Sequence, residues 1–102
     1  MDRIAMLSEV LSQNPDDAFA RYGLAMEYSN TGEVERALEE FGKLLSNHPD
    51  YTAGYFMAAQ TLMRANRVAE AKKMLVEGIT SARRTNNIHA QSEMTAMLEE
   101  LS

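Results

Sequence analysis

The chain has 102 residues, of which 45% are hydrophobic, enough for one small domain with a core but not for two. It contains no cysteine, which excludes disulfides, thiol nucleophiles and cysteine-based zinc sites. The formal net charge of −5 is uneven: residues 1–50 carry ten acidic and four basic side chains, and residues 51–102 carry five and six. Because phosphate binding needs a coherent basic face, we expect no nucleic-acid partner.

Nothing in the sequence indicates membrane insertion or export. The N-terminal stretch MDRIAMLSEVL is interrupted by Asp2, Arg3 and Glu9, so it lacks the continuous apolar core of a signal peptide. No apolar run approaches the roughly 20 residues that span a bilayer. We therefore expect a soluble, cytoplasmic protein with no membrane partner.

Residues 2–13 are predicted to form an N-terminal helix. Ile4, Met6, Leu7, Val10 and Leu11 recur at helical spacing and lead directly to the first proline. A shift of 34 residues places Leu7 on Phe41 and Leu11 on Leu45, so this helix corresponds to the second helix of a repeat unit whose first helix is absent.

Two segments that follow repeat each other with a period of 34 residues. The stretch SQNPDD contains Pro15 and the stretch SNHPDY contains Pro49. The same shift places Ala25 on Ala59, Val34 on Val68 and Ala37 on Ala71. A fixed period is the signature of a repeat architecture, so residues 15–48 and 49–84 are predicted to be two copies of one unit.

Each unit is predicted to contain two helices. Each proline is expected to occupy the first helical turn, where its missing N–H would have no partner in any case. Gly32 and Asn66 are expected to end the first helices in the left-handed conformation. The second helices are expected to run from about Glu33 to Asn47 and from about Arg67 to Arg84.

A sixth helix is predicted over residues 87–101. Met94, Met97, Leu98 and Leu101 form one apolar stripe, flanked by acidic residues.

The repeat resembles the tetratricopeptide repeat (TPR) family, whose signature is W-x2-L-G-x2-Y, then A-x3-F, then P. The matching residues are Leu24, Ala25, Tyr28, Ala37, Phe41 and Pro49 in the first unit, and Tyr55, Ala58, Ala59, Leu62, Ala71 and Leu75 in the second. Arg21 replaces the large aromatic residue, and Arg83 stands where a closing proline is expected, which allows the last helix to continue. The resemblance implies an all-α, right-handed superhelix: an N-terminal half-repeat (2–13), two full repeats and a C-terminal capping helix.

The sequence offers no constellation typical of an enzyme. His48 and His89 are the only histidines, and neither lies in an HExxH motif. His48 is expected to be a partly exposed cap residue, and the phosphate-binding motifs GxxxxGK[ST] and GxGxxG are missing. We predict no catalytic residues, no metal and no cofactor.

One helix of each unit carries a second apolar stripe. Phe19, Tyr22 and Met26 lie roughly 100–150° from the core stripe, counting about 100° per residue. In the resembled family this helix lines a concave groove that receives a peptide. The residues that the resemblance places in the groove are Phe19, Tyr22, Met26, Asn30, Ala53, Phe56, Gln60 and Arg64. The alternative is that several of them are inter-helix packing or lie under the last helix.

The predicted function is that of a non-catalytic scaffold that binds a peptide or helix of a partner protein. Chaperone-binding members of the family hold a C-terminal carboxylate with Lys, Asn and Arg, but Tyr22, Met26 and Phe56 occupy that surface here. An apolar groove suits an amphipathic helix or a hydrophobic segment. The alternative is homo-oligomerisation through the same groove or the terminal helix.

Overall fold

The computed structural model describes residues 2–102, which form six α-helices joined by short turns. The helices are α1 (Arg3–Gln13), α2 (Ala18–Asn30), α3 (Val34–Asn47), α4 (Thr52–Arg64), α5 (Val68–Arg84) and α6 (Ile88–Leu101). The all-α fold and the number of helices agree with the sequence-based prediction. As expected without a closing proline, α5 is longer than α3, with 17 residues against 14.

The two prolines lie in turns before the helices, so the prediction that they occupy the first helical turn was wrong. The N–H of Asp17 donates to the carbonyl of Asn14 at 3.1 Å, and that of Tyr51 donates to the carbonyl of His48 at 3.0 Å. Each proline is therefore the second residue of a four-residue turn, a position that its fixed φ favours. The helices begin three residues after the prolines, and Asp17 caps α2 by accepting from the N–H of Ala20.

The turns inside the two units and the turn between α5 and α6 share one geometry. Gly32, Asn66 and Asn86 have φ values of 80°, 64° and 56°, in the left-handed region. Around Gly32 the N–H of Glu33 donates to Tyr28 O and that of Gly32 to Ser29 O, and the same paired bonds recur at the other two turns. This is the Schellman arrangement, which satisfies carbonyls left free at a helix end. The predicted caps at Gly32 and Asn66 are confirmed.

The six helices form two layers. In the inner layer, α2, α4 and α6 approach their neighbours with Cα atoms within 8 Å. In the outer layer, α1, α3 and α5 pack on the inner helices, but no pair of them comes this close within residues 2–102. A stack with closer spacing on one side curves toward that side. The inner layer therefore lines the concave face of the molecule and the outer layer its convex face.

Small residues allow the layers to approach. Ala25, Ala37, Ala59 and Ala71 are fully buried, as their place in the repeat predicts. Larger side chains fill the remaining space, namely Phe41, Leu44, Leu62, Leu75 and Met94. Tyr28, which matches the aromatic position of the repeat signature, is only partly buried: it packs against two buried clusters, and its ring lies 5.7 Å from the guanidinium of Arg36.

Two buried hydroxyl pairs cross between helices. Ser29 of α2 and Thr61 of α4 are hydrogen-bonded at 2.8 Å, and Thr52 of α4 and Ser81 of α5 at 3.0 Å. Every buried side-chain nitrogen or oxygen in the described part of the chain has a hydrogen-bond partner. Such satisfied pairs define how the helices fit together, because an unpaired hydroxyl in the core would be destabilising.

Candidate functional site

The eight residues predicted to line the groove lie on α2 and α4, both in the concave layer, but they differ in exposure. Phe19, Asn30, Ala53 and Arg64 are exposed. Tyr22, Met26, Phe56 and Gln60 are partly buried. The predicted stripe is therefore a mixture of open surface and inter-helix packing.

Phe19 is the one aromatic side chain of the set that is exposed. Its side chain is 74% accessible to solvent in the first turn of α2. A large aromatic side chain left in water is unfavourable, and such residues are frequent anchors in protein interfaces. Phe19 contributes little to the core and is available for an external contact.

Tyr22 pairs with an aromatic residue that the sequence-based prediction missed. Its ring centroid lies 5.3 Å from that of Tyr51, with the planes tilted by 44°. Burial raises the pKa of both phenols above the ordinary value of 10.0, and for Tyr51 the nearby charges of Tyr22 and Asp17 add to the effect. Tyr22, Tyr51 and Met26 all pack against one buried cluster, which includes Phe41. Tyr22 and Met26 thus stabilise the contact between α2 and the turn that precedes α4.

Phe56 is half covered. It packs against the buried cluster that joins α4, α5 and α6, whose members include Tyr55, Leu75 and Met94. The alternative that part of the stripe supports inter-helix packing therefore applies to Phe56 as well as to Tyr22.

The C-terminal end of α4 brings two predicted residues together. Gln60 and Arg64 line a depression of about 310 Å³ with Met63 and with Met97 of α6. The Arg64 guanidinium donates to Ser29 Oγ at 2.7 Å, and Ser29 is itself paired with Thr61. A buried polar network therefore holds a cationic side chain beside two flexible thioethers. Met97 was predicted only as part of the apolar stripe of α6, because the groove residues were taken from α2 and α4 alone. The 34-residue shift that places Met63 on Met97 is the signal that could have found it.

Ala53 does not share this depression. It lies beside a more polar hollow of about 610 Å³ at the other end of α4, which Tyr51, Thr85, Asn86 and Asn87 also line. The predicted groove therefore consists of separate surface features along α4.

The histidines do not converge with other ligands. His48 is the partly exposed C-cap of α3, as expected, and its Nε2 lies 3.0 Å from Asp16 Oδ1. His89 is exposed in α6, 3.3 Å from Glu93. Across residues 2–102 no group of three metal-ligating side chains comes together. Within the same residues, every helix is too short or too polar to cross a bilayer.

Comparison with known proteins agrees with the repeat architecture. Two family models, both described as tetratricopeptide repeat, match residues 31–92 and 1–56. A TPR repeat-containing protein of Pseudomonas aeruginosa is 30% identical over 95 residues, which cover 93% of this chain and 90% of the relative.

Solved structures share the same fold. A tetratricopeptide repeat domain protein of Salinibacter ruber, 29% identical, superimposes with a TM-score of 0.81 and covers 87% of this chain and 90% of its own. The TPR2B domain of yeast Sti1, determined in complex with pHsp70, is 17% identical with a TM-score of 0.87 and covers 96% and 78%. The matched family models, the relative and the layered helix pairs together show that the chain belongs to the tetratricopeptide repeat family.

Proposed function

We propose that this protein is a non-catalytic interaction module that binds an apolar peptide or helix of a partner protein on the concave face formed by α2, α4 and α6. The observation that carries the proposal is the 74% exposure of Phe19 on that face. An aromatic side chain in this position gains free energy when a partner removes it from water.

The depression at the end of α4 supports the same function. Met63 and Met97 provide polarizable, adaptable walls, and Arg64 provides a cation already oriented by Ser29. Together with Phe19 these residues offer two separate anchoring points. The yeast TPR2B domain, which has the same fold, was determined in complex with pHsp70, and this adds support for a protein partner.

Capture of a partner from the source cell tests the proposal with a matched pair of variants. Phe19→Ser removes the exposed anchor, and Val76→Ser removes an apolar side chain that is 52% exposed on α5, in the convex layer. We expect Phe19→Ser to lose the captured protein and Val76→Ser to retain it. Equal capture by the two variants, with both folded, would contradict the concave-face assignment.

Self-association is the second candidate, because Ile88 on the terminal helix is an apolar side chain about as exposed (76%) as Phe19. Sedimentation of the full chain over a wide concentration range separates the candidates. Self-association predicts a mass that rises with concentration and that Ile88→Ser holds at the monomer value. A constant monomer mass would exclude it.

A further inference from the structure

A second surface lies on the convex face, between α3 and α5. Both helices pack on α4, but no Cα atoms of α3 and α5 approach within 8 Å of each other, and an open furrow of about 560 Å³ lies between the two backbones. We call it the convex furrow. It lies in the opposite layer from Phe19 and Arg64, so it is independent of the concave face.

The floor of the convex furrow is apolar. Phe41 and Leu62 form its base and are almost completely buried, while Leu38 and Met74 line its walls and are only half-buried. Gly42 leaves a gap in one wall, because a Cβ built there would meet no atom within 4 Å. A partner side chain could enter at Gly42 and cover apolar surface that is now in contact with water.

The rim of the convex furrow is acidic. Four carboxylates line it, those of Glu35, Glu39, Glu70 and Glu77, against only two cations, Arg67 and Lys73. A rim with this excess of negative charge favours a positively charged partner and repels phosphates.

One of the two cations is already engaged. The Arg67 guanidinium donates to both carboxylate oxygens of Glu70 at 2.9 Å and also to Glu35. The hydrogen bonds from Arg67 lower the pKa of Glu70, so this carboxylate stays ionised. The triad joins the starts of α3 and α5 and closes that end of the furrow. Glu39 and Glu77 lie farther along. Glu39 is 3.7 Å from Lys43 Nζ, but this exposed ion pair is weak and a partner cation can replace it.

The shape indicates which backbone fits. Leu38 and Gly42 are four residues apart on α3, and Met74 and Glu77 are three apart on α5, so each wall is one helical face. A groove between two helices accepts the side-chain ridge of a third.

We propose that the convex furrow docks an amphipathic helix of a partner protein that carries a large apolar side chain flanked by lysine or arginine. The apolar side chain enters beside Gly42, and the flanking cations meet Glu39 and Glu77. This site goes beyond the concave-face function and does not depend on it.

Two variants at one position give the test. Gly42→Ala adds only a Cβ, whereas Gly42→Gln fills the furrow with a neutral side chain that helices tolerate well, and neither meets a neighbour at its Cβ. The probe is a displayed library of amphipathic helical peptides whose side chains are randomised, selected on the full chain. We expect the selected peptides to include a class rich in lysine or arginine around a large apolar residue. Their affinity should fall by about tenfold or more for Gly42→Gln and stay unchanged for Gly42→Ala.

Further measurements locate the binding on this surface. Binding of the lysine- or arginine-rich peptides should shift the backbone amide signal of Gly42. Their affinity should fall when Glu39 and Glu77 are both changed to Gln, and it should not change in Phe19→Ser. The proposal is overturned if no selected peptide distinguishes Gly42→Gln from Gly42→Ala. It is also overturned if the peptides that do so are acidic.

Discussion

Arg21 and Tyr55 occupy the same position in the two repeats and make the same backbone contact. The Arg21 guanidinium donates to the carbonyl of Pro15 at 2.9 Å, and the Tyr55 hydroxyl donates to the carbonyl of Pro49 at 2.9 Å. Arg21 was expected to be a departure from the repeat pattern, because it replaces a large aromatic residue. The structure shows that the long side chain of Arg21 makes the same contact as Tyr55. Each holds the turn around the preceding proline against its helix.

Arg21 makes a second contact whose loss can be measured. It pairs with Glu40 of α3 at 2.5 Å, and both side chains are more than four-fifths buried. Removing one partner would leave the other charge partly desolvated, so we expect Arg21→Ala to lower the free energy of unfolding by about 2 kcal/mol. Urea denaturation measures the change.

Lys43→Ala is the control for this ion pair. Lys43 also approaches Glu40, but at 3.7 Å and from an exposed position, so its removal should change stability by no more than about 0.5 kcal/mol. The double change of Arg21 and Glu40 to Ala should be less harmful than the sum of the single changes. Strict additivity would show that the pair is not coupled.

The partly buried Tyr22–Tyr51 pair should make the stability of the folded protein sensitive to alkaline pH. Burial raises both phenol pKa values above 10.0, so the folded state favours the neutral phenols. Their contribution to stability is complete below the pKa of the unfolded chain and is lost as pH rises through the higher folded-state values. We expect the free energy of unfolding to fall above pH 10, with a smaller fall in Tyr22→Phe.

Tyrosinate absorbance and denaturation at a series of pH values check this prediction. Tyr55, whose pKa burial also raises, still titrates in the variant, so part of the pH dependence should remain. An identical pH dependence in the wild type and Tyr22→Phe would show that Tyr22 is not protected by folding.

At the scale of the helices, the left-handed caps define where each unit turns. Asn66 has a φ of 64°, a conformation that is unfavourable for alanine and free for glycine. We expect Asn66→Ala to destabilise the protein by about 1 kcal/mol and Asn66→Gly to have little effect. Thermal or urea unfolding of the two variants measures the difference, and equal stability would show that the cap does not constrain the turn.

Glycines inside the helices should respond to substitution in opposite ways. A Cβ at Gly78 of α5 would lie 2.5 Å from the sulfur of Met94 and 2.7 Å from Tyr55 Cβ, so Gly78→Ala forces these helices apart. We expect it to destabilise the fold by about 1–3 kcal/mol. Gly42→Ala should instead stabilise it by up to about 1 kcal/mol, because the Cβ enters open space on a helix. Calorimetric melting compares the two, and a stable Gly78→Ala would show that α5 and α6 are not closely packed.

The helices show which features of the fold were predictable from sequence. Helix number, the caps at Gly32 and Asn66 and the buried alanines follow from the 34-residue period, because the same backbone contacts are needed twice. The starts of α2 and α4 did not follow, because proline suits both the first turn of a helix and the second position of a β-turn. Only the hydrogen bonds that close the turns across Pro15 and Pro49 distinguish the two cases.

At the scale of the whole molecule, the candidate site was predicted less completely than the fold. Helical periodicity showed that Phe19 and Tyr22 lie on one side of α2, and only Phe19 is fully exposed. The burial of Tyr22 depends on Tyr51, which a different segment supplies. The contribution of Met97 depends on the packing of α6 beside the end of α4, which only the folded structure shows. Contacts between side chains of different segments are therefore what the sequence leaves open.

The concave and convex faces of the solenoid carry different surface features. The concave face carries Phe19 and the depression beside Arg64, and the convex face carries the acidic furrow beside Gly42. The two proposals together predict that an 11.4 kDa chain binds two partners without competition between them.

The most direct test of the concave-face account is to map a bound partner segment by the backbone amide shifts of the full chain in solution. The account predicts that the largest shifts cluster at Phe19, Met63 and Arg64, and that Phe19→Ser weakens binding by about tenfold or more while Val76→Ser, on the convex layer, does not. Shifts confined to α1 or to the convex furrow, with affinity unchanged in Phe19→Ser, would contradict it.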